Sequence, residues 1–230
     1  MKLIMLDIDG TLTLSYEYDQ EIFALAIGEV LNIVPVNADL NGYIDKTSSG
    51  VTEEAIRRVT GRSPTMEQFE QVRRNVLLRL ERLHREVPTA FQEVAGARRF
   101  LEHLSSLSDI RVAIATGCWH SEALFKLQAS GIHVDGIPMA TSDDYKNRST
   151  IMKYAVARAS EAYDCREFDR ILYMGDGPWD LQEARALGYG FIGIGPRLKG
   201  FHGGPLEHWH PDFVDLNAVM GSINSELSIN

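Results

Sequence analysis

The chain has 230 residues, 44% apolar and 24% charged, a balance that fits one large folded domain or a domain with an insertion. A formal charge of −9 argues against a nucleic-acid partner, because phosphate backbones recruit basic surfaces, but leaves a small phosphorylated metabolite open. No stretch approaches the roughly 20 apolar residues that cross a bilayer. Cys118 and Cys165 form no CxxC, so neither a disulfide framework nor a zinc site is indicated. A cytoplasmic protein with no membrane partner is expected, and nothing specifies its oligomeric state.

The first predicted element is a short buried strand of a parallel sheet, Lys2–Leu6, running into Asp7-Ile8-Asp9-Gly10-Thr11. Side chains two apart on extended backbone point the same way. Asp7 and Asp9 therefore share one side at the carboxyl end of a strand, where α/β sheets bind ligands. Two carboxylates that close are costly unless a cation relieves them, which favours a hard divalent ion such as Mg²⁺. A plain Asp-Gly turn is the competing reading.

From about Leu14 to Glu86 no strand is predicted, only amphipathic helices at Gln20–Leu31, Thr52–Thr60 and Thr65–Arg85. Residues 15–87 read as an inserted helical cap; residues 1–14 and 88–230 read as the α/β core, with Pro88 marking the return. Strands and helices then alternate: helix 94–107, strand 111–115, helix 121–130, a weak strand at 136–140, helix 150–163, strand 170–174, helix 179–187 and strand 190–194. That order implies right-handed crossovers and a Rossmann-like, five-stranded parallel sheet covered on both faces.

Two further polar clusters sit at predicted strand ends. Thr116-Gly117 precedes a helix, where a hydroxyl and free N–H groups hold anions. Gly175-Asp176-Gly177-Pro178-Trp179-Asp180 supplies a second acidic pair. The letters Gly188-Tyr189-Gly190-Phe191-Ile192-Gly193 fit a dinucleotide fingerprint but run helix to strand, the wrong order. His202, His208 and His210 read as a surface loop, and Cys118 with His120 as packing and helix-start residues.

In combination these elements resemble the haloacid dehalogenase superfamily of phosphohydrolases, over nearly the whole chain. The insertion is similar to the helical cap of phosphoglycolate-phosphatase-like members. The resemblance implies Asp7 as nucleophile, Asp9 as general acid and base, and Thr116 and Gly117 as phosphate-binding residues. The phosphate-binding basic residue is Lys146, five residues before Ile151, with Arg148 as its rival. Mg²⁺ is implied on Asp7, Asp9 (through its backbone carbonyl) and Asp176, with Asp180 assisting. Among cap cations, Lys46 is chosen for substrate contact, because loop residues facing a crevice carry function. Asp9 favours phosphate esters over dehalogenation or phosphonate cleavage. A sugar phosphomutase and a non-catalytic phosphate-binding module remain the alternatives.

Overall fold

The structure, a computed structural model, describes residues 1–33, 42–200 and 206–228. Its centre is a parallel sheet of β1 (Lys2–Leu6), β2 (Ile110–Ala115), β3 (Met139–Ala140), β4 (Arg170–Gly175), β5 (Gly190–Ile194) and β6 (Trp209–His210). The strand order is β3-β2-β1-β4-β5-β6. Leu6 is in register with Ile114 of β2 and Met174 of β4, so β1 is central and three carboxyl ends lie side by side.

Alternation along β1 assigns the faces. Ile4 and Leu6 join Val112, Ile114, Leu172 and Met174 against α4 (Ala97–Ser106), α5 (His120–Ala129) and α8 (Leu216–Glu226). Leu3 and Met5 point the other way, with Ala113 and Tyr173, against α6 (Arg148–Ala162) and α7 (Pro178–Ala186). A sheet buried on both faces explains the near-continuous apolar runs of these strands.

The cap-like region comprises α1 (Tyr16–Leu31), α2 (Ser48–Thr60) and α3 (Met66–Glu86). Thr65 and Gln68 form a reciprocal capping box at the start of α3, and Val72, Val76 and Leu80 are its buried stripe. These helices bury Ile22, Phe23, Ala26, Val51 and Ala55 around Trp119, which precedes α5 of the sheet-bearing part. Leu14 N–H donates to Gln92 (2.8 Å) and Val94 N–H to Leu12 (2.9 Å), so the segments leading in and out of the cap pair with each other.

Several elements differ from the expected ones. A sixth strand joins the five: Gly193 N–H bonds the His208 carbonyl at 3.0 Å, and Trp209–His210 pairs with β5. Two residues are too few to show a period, which is why this segment reads as a loop from sequence; His202 lies outside the described residues. Helix α8 buries Val219 and Ile223 at helical spacing that the sequence reading passed over. Gly188 has φ +72° at the end of α7, and β5 follows, so the glycine-rich run passes from helix to strand. No helix of the described residues is long and apolar enough to cross a membrane.

Candidate active site

The loops after β1, β2 and β4 converge. Asp7 N–H donates to the Met174 carbonyl at 3.0 Å, tying the first acidic loop to β4. Gly10, at φ +77°, closes that loop; a Cβ there would lie 1.9 Å from Asp176 Oδ2, so only glycine admits the second acidic loop. Asp176 and Asp180 are buried beside Asp7, and the three offer carboxylate oxygens within 4.8 Å of one another. Asp180 Oδ2 accepts from Gly177 N–H at the start of α7 (3.0 Å).

Arg148 is the basic residue the fold brings to these acids. Its Nη1 lies 3.0 Å from Asp180 Oδ1, 3.5 Å from Asp7 Oδ2 and 3.3 Å from the Tyr173 hydroxyl. Asn147 caps α6 by accepting from Thr150 N–H at 3.2 Å, which makes Arg148 the first helical residue and turns it inward. Lys146, by contrast, pairs with Glu53 at 2.9 Å and leaves 52% of its side chain exposed. Lys146 is thus tied to Glu53 of α2 and is not among the residues lining the cleft.

Thr116 is buried and, with Gly117, lines the cleft. A Cβ on Gly117 would stand 2.7 Å from Arg148 Nη2 and 3.1 Å from the Lys46 carbonyl, so this glycine admits both neighbours. Ser48 N–H donates to the Gly117 carbonyl (2.8 Å) and Thr47 Oγ1 to the Lys146 carbonyl (2.7 Å). These bonds seat the start of α2 on the core loops and hold Lys46 at the cleft, its Nζ 5.5 Å from the Trp179 ring centre. The cleft has about 560 Å³ of empty space, part of it open to solvent.

Asp9 faces a different group. Ser15 Oγ and Lys126 Nζ (2.8 Å) reach its Oδ1, and Cys118 Sγ reaches Oδ2 at 2.7 Å. Lys126 has no exposed surface and also bonds Asp19 of α1 (2.9 Å) and Glu122 (2.8 Å). Three carboxylates thus share one ammonium. Burial pushes Asp9 up, but Lys126, Cys118 and Ser15 outweigh it and hold the carboxyl below its usual range. Burial drives Asp19 up to about 8, only partly opposed by Lys126.

Sequence reasoning missed Lys126, Asp19 and Glu122. The i, i+4 pair Glu122–Lys126 was visible, but such pairs ordinarily lie on solvated faces. Asp19 binds more protons folded than unfolded, so its contribution to stability is complete near pH 4 and declines as pH rises toward 8. Asp19→Asn is therefore expected to flatten the fall in urea midpoint between pH 4 and 8; an unchanged slope would refute the assignment.

The acids at the strand ends are short of positive charge. Burial raises Asp7 against the opposing Arg148, pushes Asp176 well up against Arg197, and brings Asp180 to about 7. Asp7 Oδ1, Asp176 Oδ2 and Asp180 Oδ1 are buried with no hydrogen-bond partner among the described residues. Arg197, in the turn after β5, approaches Asp176 Oδ2 to 3.1 Å as an ion pair only. Asp180 Oδ1 is likewise ion-paired, with Arg148 at 3.0 Å, so Asp7 Oδ1 is the wholly unpartnered oxygen of the three; three buried carboxylates converging on one point fit a hard divalent cation. Asp9, Cys118 and Glu122 also lie close enough for a metal, but Lys126 already supplies a cation there.

The family model for haloacid dehalogenase-like hydrolases matches residues 1–188. No curated protein matches the chain. Among solved structures, a hydrolase from Pseudomonas syringae is 24% identical with a TM-score of 0.70, covering 97% of this chain and 99% of that one. CbbY from Rhodobacter sphaeroides, solved with phosphate, is 17% identical with a TM-score of 0.68 over 93% of this chain and 95% of its own. A haloacid dehalogenase-like protein from Streptococcus pneumoniae gives 16% and 0.56 over 95% and 97%. These structures share the fold. With most of its length matched by the family model, the chain belongs to the haloacid dehalogenase-like hydrolases.

Proposed function

We propose that the protein is a Mg²⁺-dependent phosphatase that hydrolyses a small organic phosphate monoester through a phosphorylated Asp7. The observation that supports this most is the convergence of Asp7, Asp176 and Asp180 with Arg148. In this reading residues 15–87 are the cap domain, and residues 1–14 with 88–230 are the catalytic core.

Asp7, Asp176 and the Asp9 backbone carbonyl would hold Mg²⁺, which when bound neutralises the acids and the substrate's phosphoryl charge. Asp180 assists by fixing Arg148. Arg148, Thr116 and the Gly117 loop hold the phosphoryl oxygens, where positioning and electrostatics supply most of the catalysis. An Asp7 carboxylate oxygen forms the bond to phosphorus as the ester oxygen leaves, and Asp9 gives that oxygen its proton. Water then attacks phosphorus, Asp9 takes the water's proton, and the bond to Asp7 breaks to release phosphate.

Asp9 is well placed for the second half, because Lys126 keeps it ionised. Turning toward the leaving oxygen takes it away from that cation and raises its proton affinity, as the first half requires. Lys146, paired with Glu53, is proposed to join cap to core, and Arg148 to take the phosphate-binding role. Lys46 faces the substrate.

The test is release of inorganic phosphate from a panel of phosphate esters, with Mg²⁺ and after chelation. Stoichiometric release that stops with the chelator is expected. Phosphate passed to another sugar hydroxyl would favour a mutase, and Mg²⁺-independent turnover would refute the metal assignment.

A further inference from the structure

Two cations that line the cleft, one from the cap and one from the core, approach the same indole. Lys46 Nζ and Arg197 Cζ each lie 5.5 Å from the centre of the Trp179 ring. Lys46 is half-buried, and its ammonium has no ion-pair partner among the described residues and lies against the indole. Arg197 stacks on Tyr16 of the cap at 3.9 Å and uses Nη1 on Asp176, the rest of its donor fork having no hydrogen-bond partner among the described residues. Two like charges near one ring favour an anion within reach of both.

The ring brings a third donor. Trp179 Nε1 is buried and makes no hydrogen bond. A buried N–H is costly to leave unpaired, so this one points to a ligand acceptor. The arrangement is held in place. Trp179 folds over Gly177, where any Cβ would lie 2.2 Å from the indole. Gly195, at φ +81°, packs against the Gly10 carbonyl and presents the Pro196–Leu198 turn that carries Arg197. Lys46 comes from the loop seated on Gly117, so the core and the cap each contribute one cation.

We propose that Lys46, Arg197 and the Trp179 N–H form a second anion subsite, and that the substrate is a phosphate monoester bearing a further carboxylate or phosphate. The proposal rests on the phosphatase reading, whose reacting phosphoryl group lies at Asp7 and Arg148. The second group lies across the cleft at Trp179. Arg148 is not shared between them, because Asp7 and Asp180 engage it.

The test separates binding from turnover. Affinities of the Asp7→Asn protein with Mg²⁺ are measured by calorimetry for alkyl phosphates, ω-carboxyalkyl phosphates and alkanediol bisphosphates of equal chain length. Charge-assisted hydrogen bonds predict that one or both dianionic classes bind at least about tenfold tighter than the uncharged ester. The better of the two identifies the second group. Adding Lys46→Met or Arg197→Met should collapse that ratio to within about twofold, and Arg197→Lys should restore part of it. Equal binding of all three esters, or a ratio untouched by both methionine variants, would overturn the subsite. A preference that persists in a wild-type protein unable to release phosphate would retain the subsite and sink the phosphatase reading instead.

Discussion

Asp7→Asn is expected to cut phosphate release by at least ~10³-fold, because it removes the proposed nucleophile while leaving the rest of the site in place. The amide is nearly isosteric with the carboxylate. It also removes a buried negative charge, whose carboxyl is already pushed up by desolvation despite Arg148 3.5 Å away. The variant should therefore fold as stably as the parent, or more so, and its urea midpoint checks this. Phosphate chased from labelled ester into an acid-stable protein adduct should appear in the parent and vanish in the variant. Turnover near normal with an unchanged adduct would mean that another group attacks phosphorus.

Lys126→Met should be the most damaging single change to stability, about 3–5 kcal/mol at neutral pH. It leaves Asp9, Asp19 and Glu122 around a methyl thioether in place of the ammonium. Asp9, whose carboxyl Lys126 holds down, then takes up a proton more readily, so the loss should shrink toward pH 5; a denaturant midpoint series at two pH values checks the trend. Adding Asp19→Asn and Glu122→Gln should recover part of the loss by removing stranded charges. A midpoint close to the parent's at both pH values would mean that Lys126 is not the counter-ion the geometry makes it.

The sheet and the acidic strand ends could be read from the chain because both are local. Leu3–Leu6 is an unbroken apolar run, and Asp7, Asp9 and Gly10 follow within four residues. The stripe of α3 and its Thr65 cap were legible for the same reason. Arg148 was harder. The choice between it and Lys146 turns on where α6 begins, and the Asn147 cap moves that start to Arg148 and rotates the guanidinium inward.

Lys126 was illegible. A lysine at position i+4 from a glutamate describes a solvated helix face, and its burial depends on Asp19, 107 positions away, being folded over it. Arg197 was hidden differently, since its role depends on a short turn pressed against Gly10 by a missing Cβ. Two-residue β6 carries no period at all. Long-range partners and short elements are where a pattern-based reading of this chain stops.

The paired neck between Leu12–Leu14 and Gln92–Val94 has an evolutionary corollary. An insertion whose two stems already touch imposes almost no extra chain-closure penalty on its host, however long it grows. Helices could thus be lost, lengthened or traded above that point while β1 and the Asp7 loop keep their geometry. The limit lies at Trp119 and Phe125, host side chains that rely on the inserted helices for cover. Any replacement lid must bring an apolar underside of its own, or leave those rings facing water.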